Sequence, residues 1–138
     1  SEMNHEKYEM HQKIEKILFK DECYLIQGAV FEVYKEIGPG FLESVYQECL
    51  EKELSVRNIP FQKQVEIKIE YKGEVLNQFF KADIICFNSI IIELKSIKSI
   101  DPIHRAQIMN YLKATKLRLG LLVNFNAYPK VEIERIVL

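Results

Sequence analysis

Glu93 and Lys95 stand two residues apart in the run IIIELKS, Ile90 to Ser96, and Asp83 stands ten residues before Glu93 in FKADIICF. Residues two apart on a strand project from one face, so Glu93 and Lys95 emerge side by side from a segment otherwise made of isoleucine and leucine. Taking an ion out of water costs roughly several kcal/mol unless it pairs or meets a metal. Charges set into apolar runs are therefore tolerated mostly where they are used. Two carboxylates held close repel, and a hard divalent cation resolves the repulsion. Mg²⁺ takes oxygen ligands, typically one or two carboxylates with water and substrate phosphate. A neighbouring ammonium orients or helps deprotonate the attacking water and offsets charge growing on a phosphate. Acid, acid and lysine together describe phosphodiester hydrolysis better than any competing chemistry in this chain.

The triplet has internal controls. Glu66/Lys68 and Glu70/Lys72 repeat the Glu-x-Lys spacing, but they lie on the alternating run VEIKIEYKG. There Val65, Ile67, Ile69 and Tyr71 form the buried row, and the charges are its solvated face. Ten residues upstream of those two glutamates stand Val56 and Pro60, neither of them an acid. The bland reading of Glu93 and Lys95 is an ion pair at an exposed strand end. Other constellations find little support: His5 and His11 lie in a polar N-terminal stretch, no GxSxG surrounds a serine, and neither a P-loop nor a GxGxxG is present.

The elements that must position these residues follow from periodicity. Glu6 to Lys20 reads as a peripheral helix. Ile26, Val30, Val33 and Ile37 recur at helical spacing from Tyr24 to Ile37, and Gly38-Pro39-Gly40 ends that helix. A second helix runs to about Arg57 with Leu42, Val45, Cys49, Leu50 and Leu54 as its inner stripe. Three strands follow, then a helix opened by Asp101-Pro102 as cap and first position. RLGLLVNF is a further apolar strand, and VEIERIVL one more at the sheet edge. The order predicts an α/β fold, a mixed sheet flanked by helices with two helices at the N-terminal side. Residues 1–20 form a peripheral helix or tail, and residues 21–138 form the domain.

Bulk properties agree. The chain has 138 residues, 48% hydrophobic and 28% charged, with a net charge of -1. That suits one globular core and gives no overall pull toward a polyanion, so such a partner must meet a local patch. From Lys81 to Arg118 seven basic residues stand against Asp83, Glu93 and Asp101, which places a basic excess around the triad, as phosphate contact requires. No apolar run nears the roughly 20 residues needed to cross a bilayer; no membrane association and no secretory leader are expected. Cys23, Cys49 and Cys86 are scattered and odd in number, which fits a reducing cytoplasm.

Register decides whether the acids meet. With a two-residue Asn88-Ser89 turn, Asp83 opposes Leu94 and points away from Glu93. A three-residue loop or a β-bulge brings Asp83, Glu93 and Lys95 to one side.

Asp83, nine residues, then Glu93-Leu94-Lys95 resembles the PD-(D/E)XK nuclease superfamily. Gln107 and Tyr111 in AQIMNYLKAT are similar to the QxxxY element of its RecB-like members. Gly40, Glu43 and Tyr46 in GPGFLESVYQ match the signature of the GxxExxY family, and the likeness runs from about Leu25 to the C-terminus. The naming proline is absent, Ala82 standing before Asp83. The resemblance implies a restriction-endonuclease-like core and a metal-dependent nuclease. Asp83, Glu93 and Glu43 would bind Mg²⁺, with Mn²⁺ as an alternative. Lys95 would act on the nucleophilic water, and Gln107 and Tyr111 would steady the hydrated metal or a phosphate. It implies nucleic acid as partner, DNA ahead of RNA. The alternatives are a catalytically silent module binding nucleic acid or protein, and a homodimeric adaptor joined through its N-terminal helices.

Overall fold

The computed structural model describes residues 2–138, apart from the side chains of residues 3 and 14–17. Four helices, α1 (Glu2–Ile17), α2 (Lys20–Ile37), α3 (Glu43–Val56) and α4 (Pro102–Thr115), accompany five strands, β1 (Phe61–Tyr71), β2 (Glu74–Cys86), β3 (Ile90–Lys95), β4 (Leu119–Asn124) and β5 (Glu132–Val137). The strands form one sheet in the order β1-β2-β3-β4-β5. Its pairs are antiparallel except β3 with β4, which are parallel. A parallel pair needs a crossover, and α4 supplies it.

Ile90 to Leu94 are all buried because β3 is the central strand, covered on both faces. On one face Ile26, Val30 and Val33 of α2 and Leu50 and Leu54 of α3 pack against Ile84, Ile90, Ile92 and Leu94. On the other, Ile108, Tyr111 and Leu112 of α4 pack against Ile67, Ile85, Ile91 and Ile136. Leu42 departs from the expected inner stripe of α3: it precedes the first helical residue and is 77% exposed, and Tyr46 takes the buried position instead. Tyr71 departs too, 62% exposed on β1, because the far end of the β1–β2 hairpin extends beyond helix cover.

The turn into α3 is pinned rather than merely permitted. Gly38 and Gly40 take φ of +64° and +104°, conformations that side-chain-bearing residues rarely adopt. The Tyr46 hydroxyl donates to the Gly38 carbonyl at 2.6 Å and accepts from the Phe41 N–H at 3.3 Å. Its ring lies parallel to Phe125 at 4.4 Å between centroids. Gly40 N–H donates to Asn126 Oδ1, and the Ser96 hydroxyl donates to the Phe41 carbonyl. The residues just before Glu43 are thus tied to their own helix, to the segment after β4 and to the end of β3.

Replacing Tyr46 by Phe keeps the ring stack and removes both hydroxyl bonds. The expected loss is about 1 kcal/mol, read as a melting temperature lower by about 3 °C.

Candidate active site

Cys86 pairs with Ile90, Ile85 with Ile91 and Ile84 with Ile92, a register that sets Asp83 opposite Glu93. The connection is the three-residue loop Phe87–Ser89, with Phe87 and Asn88 at φ of +55° and +51° and the Ser89 N–H bonded to the Cys86 carbonyl at 3.0 Å. The ladder then gives way to the acids themselves. Asp83 N–H donates to Glu93 Oε1 at 3.0 Å, and Leu94 N–H donates to Asp83 Oδ2 at 2.8 Å. Each carboxyl takes a backbone donor from the strand that carries the other.

This exchange sits at a distortion of the sheet. Ala82 packs in the α4 core while Ile84, two residues on, packs in the α2–α3 core, so the alternation expected of a strand breaks at Asp83. Across the pair, Gln64 of β1 takes φ of +48°. The Asp83 carbonyl accepts from Gln47 Nε2 of α3 at 3.1 Å. Both backbone polar groups of Asp83 are therefore served by side chains.

The other residues expected here arrive from both layers. Lys95, half-buried at the end of β3, donates from Nζ to Gln107 Oε1 of α4 at 3.2 Å. Tyr111, one turn beyond Gln107, is buried with its ring against Phe80 at 4.8 Å. Glu43 is exposed in the first turn of α3, and its charge reaches Asp83. Among the described residues no three His, Cys, Asp or Glu side chains form a ready metal cluster, and the charge of Glu43 bears on Asp83. Gln47 and Phe80 were not anticipated. Gln47 follows Glu43 by four residues and so shares its helix face, the one signal that could have found it.

Electrostatics single out the pair. Burial, then the charge of Asp83, pushes the Glu93 carboxyl up to about 8. Asp83 is raised by burial, opposed by the Leu94 N–H, and raised again by Glu43. Both carboxyls are thus raised by burial, and the charge of Asp83 adds to the rise at Glu93. Burial and then the charges of Glu93 and Asp83 push Tyr111 up to about 12, so its hydroxyl is a neutral donor at physiological pH. The donor set fits a hard divalent cation. Each carboxyl gives one oxygen to a backbone N–H and has a second left over, and a cation relieves the burial of like charges side by side.

The family profile described as the PD-(D/E)XK nuclease superfamily matches residues 20–136. The crystal structure of SSO0001 is similar, with a TM-score of 0.55 and 27% identity over 68% of this chain and 48% of that one. The chain thus spans about half the length of that structure. No curated protein matches.

A folded state that holds a proton on Glu93 between its ordinary 4.5 and about 8, where the unfolded chain has lost it, becomes less stable as pH rises through that window. Denaturant unfolding in chelator is expected to give a lower midpoint at pH 8.5 than at pH 5.5, and Glu93→Gln is expected to flatten the difference. Parallel curves for the two proteins would contradict it.

Proposed function

The chain belongs to the PD-(D/E)XK nuclease superfamily, and from that membership we propose a metal-dependent nuclease that hydrolyses nucleic-acid phosphodiester bonds. Its mixed five-stranded sheet flanked by helices is the restriction-endonuclease-like arrangement. The observation that carries the proposal is the crossed bonding between β2 and β3, Asp83 N–H to Glu93 Oε1 and Leu94 N–H to Asp83 Oδ2, with Lys95 two residues beyond Glu93 on the same strand. Superfamily members generally use divalent metals, and Mg²⁺, with Mn²⁺ as substitute, suits an all-oxygen donor set. Within the superfamily, Gly40, Glu43 and Tyr46 support placement in the GxxExxY group.

In this reading Asp83 and Glu93 hold the cation and Glu43 adds negative charge from α3. A divalent cation bound there supplies Lewis-acid activation of water and of a phosphoryl oxygen. Lys95, oriented by Gln107 Oε1, places an ammonium where attacking water or the developing phosphate charge needs it. Tyr111, kept protonated, offers a hydrogen bond and does not serve as a base. Phe80, whose ring packs on Tyr111, also lines a groove of about 780 Å³ bordered by Lys68, Lys113 and Lys116, with Glu66 and Glu70 on its β1 wall. The lysines give a long polymer a basic path between β1 and α4, and DNA is favoured over RNA as that polymer.

Purified protein is expected to nick plasmid or cut single-stranded DNA with Mg²⁺ or Mn²⁺ and to stop in chelator. Lys95→Ala is expected to lower the rate roughly 100-fold or more, and Glu93→Ala to abolish metal-dependent cleavage. Cleavage that survives both substitutions belongs to a contaminant. Binding without cleavage would replace the nuclease with a silent nucleic-acid-binding module, and a dimer with no nucleic-acid affinity would leave an adaptor.

A further inference from the structure

We infer that Gln47 is a positioning residue that sets the direction of the Asp83 carboxyl. Asp83 lies between the β1–β2 pairs Lys63↔Ile84 and Val65↔Ala82 without a ladder partner of its own. Its carbonyl is held from outside the sheet by Gln47 Nε2 at 3.1 Å. The same amide nitrogen donates to Glu51 Oε2 at 2.8 Å, and Glu51 Oε1 pairs with Lys63 Nζ at 3.3 Å. Lys63 immediately precedes Gln64, the residue at φ of +48°. One face of α3 therefore grips the distortion on both strands, through Gln47 on β2 and through Glu51 on β1.

The mechanical link is short. Rotating the Asp83 carbonyl turns the peptide that follows Asp83 and changes the dihedrals from which its side chain departs. With Gln47 donating, the carbonyl is drawn toward α3, and Asp83 Oδ2 reaches the Leu94 N–H on the opposite side of the strand. Without that donor a half-buried carbonyl seeks another partner, and the nearest route is rotation back toward a regular ladder. The Oδ2–Leu94 bond is then lost, and with it the facing of the two carboxyls. Charge orients the amide: with Glu51 on one side and a carbonyl on the other, only the nitrogen of Gln47 can face both.

The inference concerns protein geometry and rests on the nuclease reading only in its metal arm. Gln47→Met keeps length and helix preference while removing the donor. Amide hydrogen exchange, followed by NMR on the whole metal-free chain, is expected to show Leu94 and Asp83 exchanging about tenfold faster, with Ile91 and Ile92 unchanged. The exchanged pair Gln47→Glu with Glu51→Gln retains an amide and a carboxylate at the two positions but leaves Asp83 without its donor. It is expected to show the same selective loss. Unchanged Leu94 exchange, or acceleration spread evenly along β3, would overturn the inference, the latter marking Gln47 as ordinary helix packing. Calorimetry is expected to find Mn²⁺ bound about tenfold more weakly by Gln47→Met than by the unaltered chain. Equal affinities would also overturn it. An unaltered chain that binds no Mn²⁺ would sink the nuclease reading, and the exchange result would still decide the role of Gln47.

Discussion

Two backbone N–H groups, each captured by a carboxyl from the neighbouring strand, are what the rest of this molecule is arranged around. In a regular antiparallel sheet the Asp83 N–H would find a carbonyl and the acid side chains would be left to their own burial cost. Here the acids take the donors instead. A carboxylate gains more from a backbone N–H than a carbonyl does, which offsets part of the desolvation that raises both groups. The burial cost that remains keeps a proton on Glu93 up to about 8. That residue of unfavourable energy is what a cation can relieve, so the site is destabilised toward binding by the same burial that makes β3 a central strand.

The surrounding layers support this geometry from both faces of the sheet. α4 lies across the sheet with Gln107 meeting Lys95 and Tyr111 closing against Phe80. α3 enters from the other face, its start fixed by the Tyr46 hydroxyl bridging the glycine turn. Glu43 is thereby delivered near Asp83 by residues that do no chemistry. Gly40 and Tyr46 thus read as the fixture that holds the acid between them in sequence.

Much of this was legible in the residues. β3 declared itself by an unbroken apolar run, β1 by strict alternation, and α4 by Asp101-Pro102, where the structure also shows His104 Nδ1 accepting the Asp101 N–H. The meeting of Asp83 and Glu93 turned on loop length, and the three-residue option is the one adopted. What periodicity could not supply were the departures from it. Leu42 fits a helical stripe on paper, but a stripe cannot tell that the helix begins one residue later. Tyr71 continues an alternating pattern past the point where any helix covers it. The reversal of faces between Ala82 and Ile84 leaves no mark on composition, because alanine and isoleucine are welcome in either core. Gln47 was hidden for a related reason: an amide on a helix is commonplace until the backbone opposite it is known to lack a partner.

The hairpin joining β2 to β3 also determines where this chain can vary in length. Phe87 to Ser89 follow a ladder already closed by Cys86 and Ile90, with Phe87 packed back on the core and Asn88 exposed at the tip. An additional residue at that tip can be absorbed without moving anything below it. The same insertion between Ile90 and Ile92 would invert every later side chain of the strand, sending Glu93 and Lys95 into the α2–α3 core and bringing Leu94 to the cleft. Homologues can therefore differ in the number of residues separating their two acids, provided the difference is confined to the tip. The site requires the phase of each strand and not a fixed count between the acids.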